Sequence, residues 1–542
     1  MQRAIWAAAM VVSGCGSDMK AAERSSLEAG SGDQYEGPCG GAECPVGFHC
    51  EFDQCVIDEP PTPPSSAVRD PLASKRYVFT LDTEARRLVR IDSLTLEVEA
   101  FAAGLAPMVV AVVGSRELSV LLDGLDIIEV LDHRTEPPVN AAWSTARSLS
   151  HLAVSPTGDH AIAYYDWDDH RAQDRQSEPG NINQISVLSL ADGPSALSDD
   201  DPRLVNVAVG FLPRDVRFSE DGSRAIVISR DTLTPITLTS MEGGVAEPRS
   251  EVAFDGSANE ILIDADAHHA VLRYAENPQI DVIDLESGVA TCLTANGVVT
   301  DMSFTQSGEL VVSVTSDVSQ TIGVVDIVDA AVVCAPLATE IDIGAVSRLS
   351  LDPSAAVALA YEPALEAETI WVVDLQTREV HSVRLEKAVL AVAWVGDGEH
   401  AHLSHMKMPG APAWDPMVED PEVSVDKSYG VSWLNVLTNA HRLEVSDQPF
   451  GPFVFVPALG SSLGVTFQAI LDDKKPEVLR VSHRPGFDDR RIALAAEPER
   501  MGYLSETRRT YITQSHPWGR ITFVDPSGEE LRHVTGFALE VE

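Results

Sequence analysis

The feature that most constrains this chain is a two-part motif that recurs ten times between about Pro71 and Glu542. One half is a tight turn between two apolar runs. It reads VSPTGDHAIAYY from Val154, FSEDGSRAIVIS from Phe218, FTQSGELVVSV from Phe304 and WVGDGEHAHL from Trp394. Weaker copies begin near Leu72, Val113, Ile263, Leu351, Val456 and Leu504. The other half alternates apolar and polar residues and ends in a polar turn. It reads RLVRIDSLT from Arg87, QIDVIDLESG from Gln279, TIGVVDIVDA from Thr321, TIWVVDLQTR from Thr369 and RITFVDPSG from Arg520. Related stretches lie at Ile127, Gln184, Pro235, Gly430 and Glu477, so the halves alternate along the chain.

Alternation with period two, punctuated by Gly, Asp and Ser, is the pattern of half-buried strands joined by tight turns. No convincing amphipathic helix interrupts it. Asp92, Asp132, Asp284, Asp326, Asp374 and Asp525 recur at the strand exits, where a carboxylate can accept hydrogen bonds from turn amides. Most periods are roughly 40–48 residues, the length of one four-stranded propeller blade. The repeat resembles the YVTN/WD40-like β-propeller superfamily, in which turns of the VSPDG kind and strands of the VID kind recur. The WD40 hallmarks are missing: no Gly-His pair opens the units, and the Trp-Asp pairs at Trp167 and Trp414 lie in loops. The expectation is an all-β fold, one propeller ring of about eight to ten blades over 71–542. Two smaller rings and a β-solenoid are the alternatives. Two periods are longer and carry loops, near Asp166 to Pro179 and His405 to Tyr429.

The N-terminus has a different composition. Arg3 precedes an apolar run, Ala4 to Val12, and the segment closes with Val12-Ser13-Gly14-Cys15. This resembles the lipobox of bacterial lipoproteins, which implies cleavage after Gly14 and a diacylglycerol on the Cys15 thiol. An ordinary signal peptide with an incidental Cys is the other reading. Gly16 rather than Asp follows the Cys, which in that family favours the outer membrane. The expected organisation is a signal peptide over 1–14, a small, polar tether over 15–37, a cysteine-rich module over 38–56 and a proline-rich linker over 57–70. The module holds Cys39, Cys44, Cys50 and Cys55, four of the seven cysteines. In an exported chain they read as two disulfides of open connectivity, with structural zinc as the rival. Pro60, Pro61, Pro63 and Pro64 then favour a semi-rigid spacer.

Cys292 and Cys334 each lie eight residues after the Asp of their own unit, Asp284 and Asp326. That register puts them on the outermost strands of neighbouring blades, which diverge. The expectation is therefore two unbonded cysteines, because a disulfide needs Cα atoms within about 7 Å.

Charge bears on partners. The chain has 83 acidic and 39 basic residues, a net charge of −44. The acids are dispersed through turns and loops, without the basic patch that phosphate contacts require, so no nucleic acid is expected. Membrane attachment falls to the lipid alone.

Chemistry-bearing constellations are few. Asp166, Asp168 and Asp169 beside His170 could hold calcium through hard oxygens, against the more ordinary solvated loop. His402 and His405 with Met406 and Met408 could hold copper, although strand alternation turns the two histidines to opposite faces. Gly460-Ser461-Ser462-Leu463-Gly464 matches a hydrolase elbow in letters, but lies in a strand-to-strand turn rather than a strand–turn–helix. No phosphate loop, dinucleotide fingerprint or HExxH is present, and no cofactor is expected. The reading is a lipid-anchored binding or scaffold protein of the cell envelope. It would present its propeller to a protein or glycan, with the loops after Asp166 and His405 as the contact candidates. A propeller enzyme or metalloprotein with a site at the central channel is the alternative, and a structural member of an envelope assembly is a third.

Overall fold

The computed structural model describes the chain from Pro71 to Ala538. Outside that description are 167–180, 192–202, 239–245, 317–319, 327–333, 337–339, 458–463, 471–477 and 484–487, and a few one- and two-residue stretches. It also describes the backbone of a hairpin, Phe48–Glu51 with Gln54–Ile57, in which Cys50 stands opposite Cys55. The signal segment, Cys15, the tether, Cys39, Cys44 and the proline linker lie outside the described residues.

From Leu72 onward, forty strands in chain order build ten antiparallel sheets of four, two of which carry one extra short strand. Each sheet is a blade whose four strands follow one another in sequence, save that in blade 6 the short strand Ala335–Pro336 comes between the third and the fourth. The blades span 72–102, 107–144, 151–208, 215–253, 260–294, 298–343, 348–384, 389–446, 450–493 and 498–535. Each motif half identified in the sequence falls where one blade needs it: the ten turns join first strands to second, and the ten alternating runs are third strands.

The turns explain the letters. In blade 3, Ser155 Oγ accepts from the amides of Asp159 and His160 at 3.1 and 3.0 Å. Thr305 Oγ1 in blade 6 and Asp352 in blade 7 accept from Glu309 and Val357 in the same way. Gly158 follows in the left-handed region, φ 76°, and a Cβ there would lie 2.3 Å from a Val113 methyl. At the strand exits, Asp284 Oδ1 accepts from Glu286 and Ser287, both at 2.8 Å, and Asp374 Oδ1 from Gln376 and Thr377 at 2.9 and 2.7 Å. Asp92, Asp132 and Asp525 do likewise, and Asn435 takes the role in blade 8.

The core lies between blades, so second strands are buried on both faces. Leu118–Asp123 and His160–Tyr164 are buried throughout. Phe79, Leu81 and Leu88 of blade 1 pack on Leu121 and Leu131 of blade 2. Burying each such side chain contributes about 1.5–3 kcal/mol. Similar clusters join the blades in succession, and Leu504, Ile521 and Phe523 of blade 10 pack on Val78, Val89 and Ile91 of blade 1. Blades 8 and 9 meet through aromatic rings, described below. The ten blades thus form one closed ring. It closes by side-chain packing, helped by Arg87 Nη2 donating to the Phe537 carbonyl and Ser93 Oγ to Thr507 Oγ1, rather than by a strand shared between the termini.

The cysteine expectation is overturned: Cys292 and Cys334 form a disulfide, with Cα atoms 4.2 Å apart. Cys292 lies in the outer strand of blade 5, Ala290–Thr294, as expected. Cys334 does not lie in the outer strand of blade 6, which is Glu340–Ile343. After its third strand, blade 6 sends the chain to its neighbour, where Ala335–Pro336 adds a parallel strand to the edge of blade 5. The equal spacing from Asp284 and Asp326 hid this excursion. Among the described residues, no helix is long and apolar enough to cross a membrane.

Candidate interaction face

Because every blade runs up, down, up and down, the connections sort themselves by face. First-to-second and third-to-fourth turns open on one side, the turn face. Second-to-third connections and the links between blades open on the other, the loop face. Both long insertions of the sequence belong to the loop face, in blades 3 and 8. That in blade 3 lies mostly outside the described residues.

The blade 8 loop, 406–428, joins His400–His405 to Tyr429–Asn435 and contains the one helix described, α1 (Pro421–Asp426). Its base is clamped. The amide of Met406 donates to the Ala388 carbonyl at 2.9 Å, and that of Met408 to the Asp426 carbonyl at 2.8 Å. Lys387, 1% exposed, donates its ammonium to the carbonyls of Val425 and Asp426, both at 2.9 Å, satisfying the end of α1. Burial pushes its pKa down from the ordinary lysine value. Asp420 caps the other end through the Glu422 amide at 2.9 Å, with Pro421 in the first turn. Glu419 ties the middle together: it pairs with Lys427 and accepts from Ser424 Oγ at 2.8 Å and the Ala413 amide at 3.1 Å. These contacts hold its carboxyl down at about 2.

This internal bracing leaves the tip in water. Trp414 is 51% exposed, Met417 91% and Val418 74%. Asp415, Asp420 and Glu422 stand exposed among them, while Lys407 and Lys427 turn inward to Gly410 and Glu419. The result is a pre-formed apolar prominence with an acidic surround. Other exposed apolar side chains share this face: Leu105 and Phe211 in links between blades, and Leu125 and Leu365 between second and third strands. The turn face shows Leu94 and Leu437. Contiguous exposed apolar surface marks interaction sites, and a loop ordered before binding loses less entropy when it binds.

The candidate metal residues are not brought together. His402 is 2% exposed and stacks on Phe453 of blade 9, ring centroids 4.0 Å apart, with Trp433 edge-on at 4.7 Å. It is a wedge in the blade 8–9 interface. His405, on the opposite face of the strand, has Nδ1 2.9 Å from the Lys387 carbonyl and Nε2 2.6 Å from Ser432 Oγ. Burial pushes its pKa down to about 4, so it is neutral at pH 7. Its place is under the base of the loop. Asp166 lies 4.0 Å from His151 Nε2 across blade 3, and Asp168 and Asp169 lie outside the described residues. Among the described residues, no group of three or more His, Cys, Asp or Glu side chains could hold a metal ion. What the sequence could not reveal is that Lys387, nineteen positions before Met406 and in the link between blades 7 and 8, fastens the loop.

No protein-family model and no curated protein matches the chain. Solved structures do. A dihydro-heme d1 dehydrogenase NirN, in complex with DHE, is 15% identical, the match covering 70% of this chain and 75% of that one, with a TM-score of 0.35. A eukaryotic initiation factor is 8% identical, covering 78% and 96%, with a TM-score of 0.45. Hydrazine synthase of Kuenenia stuttgartiensis is 14% identical, covering 58% and 94%, with a TM-score of 0.29. The likeness extends to the fold alone, and nothing of these proteins' chemistry transfers to this ring.

Proposed function

We propose that this chain is a lipid-anchored protein of the cell envelope whose ring holds a protein partner on its loop face. The observation that carries the reading is the blade 8 loop, braced internally by Lys387 and Glu419 yet presenting Trp414, Met417 and Val418 to water. Met and Val so exposed suit an apolar protein surface better than a glycan, and Asp415, Asp420 and Glu422 favour a partner with basic residues around that surface. In this reading Cys15 carries the lipid, the Cys39, Cys44, Cys50 and Cys55 module is closed by disulfides, and the proline linker sets the reach. An outer-membrane address fits Gly16. The Cys292–Cys334 disulfide is compatible with an oxidising compartment.

The test is photo-crosslinking in intact cells that produce the protein. A crosslinking side chain at Met417 should trap one discrete partner, and the same group at Leu437 on the turn face should not. Equal trapping from both positions, or none from Met417, sinks the reading. Separately, Cys15→Ser should move the protein from the membrane fraction to the soluble one.

A further inference from the structure

Blade 6 has two segments that suit the place of its outer strand. In blades 1, 5, 7 and 10 the third and fourth strands share one register, in which the residue before the exit Asp faces the residue six after it. Ile91 faces Val98, Ile283 faces Ala290, Val373 faces Val380 and Val524 faces Leu531. Counted from Asp326, the same register sets Gly323, Ile322 and Thr321 opposite Cys334, Ala335 and Pro336. The structure instead sets Ile322 opposite Ile341, six positions further on, with Glu340–Ile343 as the outer strand.

Both segments fit the role. The run at 331–337, AVVCAPL, is uncharged and contains two valines that favour strands. Pro336 is no obstacle. In the four blades of common register the bonded pairs are Asp92 with Glu97, Asp284 with Val289, Asp374 with Glu379 and Asp525 with Glu530. Bonded pairs alternate along an antiparallel ladder, so Ile322 and Ala335 would be bonded and Pro336 would turn its missing N–H to the open edge. Glu340–Ile343 has its own claim, because Ile341 and Ile343 pack into the core between blades 6 and 7.

What holds the observed choice is Cys334. Its bond to Cys292 brings the two Cα atoms within 4.2 Å, and the next two residues pair with the edge of blade 5, Ala335 beside Leu293 and Pro336 beside Thr294. That pairing is short, and Cys334 stands at φ 52°, a left-handed conformation costly for residues other than glycine. In the common register Cys292 and Cys334 would occupy equivalent places on diverging outer strands, beyond the reach of a disulfide. Bond and register exclude each other. The two sulfurs also differ in access: Cys292 is 5% exposed, whereas Cys334 is an exposed residue.

We propose that the Cys292–Cys334 disulfide is a redox lock on the register of blade 6. Closed, it keeps Ala335–Pro336 on blade 5 and leaves Glu340–Ile343 as the outer strand of blade 6. Opened, the chain re-pairs: 334–336 joins the outer strand in the common register, and 340–343 passes into the link to blade 7. The reductant is a dithiol, of the kind that thiol–disulfide exchange proteins carry. One thiolate attacks the Cys334 sulfur and expels the Cys292 sulfur, which takes up a proton. The second thiol then attacks the mixed disulfide, closing the donor's own disulfide and releasing Cys334 as a thiol. Two electrons and two protons pass to this chain, and a disulfide acceptor reverses the exchange.

The test is hydrogen exchange, read by mass spectrometry on the full chain in detergent, comparing the oxidised protein with Cys292→Ala and with Cys334→Ala. These variants open the lock without a reductant, so the cysteines of the N-terminal module are left as they are. Exchange should rise at least tenfold across 290–294 and 340–343, while the Ala335 amide is protected by its new pairing. The wild type should show the same pattern in dithiothreitol and lose it on reoxidation. Protection kept at 340–343, whether or not 334–336 opens, would make the bond a plain staple and overturn the proposal. So would a loss of protection throughout blades 6 and 7, because the bond would then be a condition of the fold.

Discussion

The two faces of the ring rest on the same forty strands and differ in what their connections satisfy. On the turn face, short hairpins consume their own polar groups: Asp284, Asp374 and Asn435 each accept amides two and three residues on. On the loop face, the blade 8 connection bonds the amides of Met406, Met408, Val418 and Glu419, yet leaves the Trp414, Met417 and Val418 side chains in solvent. A turn is constrained by its closure, and its residues are explained by it. The loop's bracing explains Lys387 and Glu419 but leaves its apolar tip unexplained by folding, and this is why the tip is proposed as the contact surface.

Acid should strike both faces hardest. His133 lies under the turn face and His405 under the loop face, and each titrates at about 4 against 6.5 when unfolded. Their native forms are neutral, so their contribution is fully present above pH 6.5 and is lost as pH falls from 6.5 to 4. Each shift corresponds to about 3 kcal/mol. His269 runs the other way: Asp264, 2.8 Å away, raises its pKa, so its contribution is lost as pH rises through that value. Thermal unfolding at pH 7.5, 5.5 and 4.5 should show falling stability, and His133→Asn or His405→Asn should each flatten the slope. A slope unchanged in both variants would place the acid-sensitive groups elsewhere.

A smaller and one-sided effect is expected of Lys387→Met, which strips two carbonyls at the end of α1 of their donor. A cost of about 2–3 kcal/mol follows from leaving buried acceptors unmade. Hydrogen exchange should accelerate across 406–428 and not in the turns around Asp284 or Asp374. If exchange rises equally on both faces, the loop is not the separate, fastened unit described here.

How much of this was legible in the sequence follows the same division. Turn closure dictates Ser, Asp and Gly at fixed positions, so the ten hairpins and ten third strands could be read directly, whereas the sequence left the blade count at about eight to ten and two smaller rings or a solenoid open. Long-range docking leaves no local mark. The equal offsets of Cys292 and Cys334 from Asp284 and Asp326 predicted diverging strands, because nothing at 327–336 announces that the chain crosses to blade 5. His402 and His405 read as soft metal ligands by composition, whereas packing on Phe453 and bonding to Ser432 decide their roles.

Two finer comparisons remain to be broken. Asp374→Ala removes one turn cap and should cost about 1 kcal/mol, read as faster exchange at Gln376 and Thr377 with the loop face unaltered. The smallest effect on stability should come from replacing Trp414, Met417 and Val418 together by Ser. These side chains are exposed, so unfolding should shift by no more than about 0.5 kcal/mol. If they instead contributed to the core, the variant would unfold several kcal/mol earlier, and the prominence would be a folded element rather than a contact surface. Stability retained with the Met417-side partner lost would separate what the ring needs in order to stand from what it holds out to another molecule.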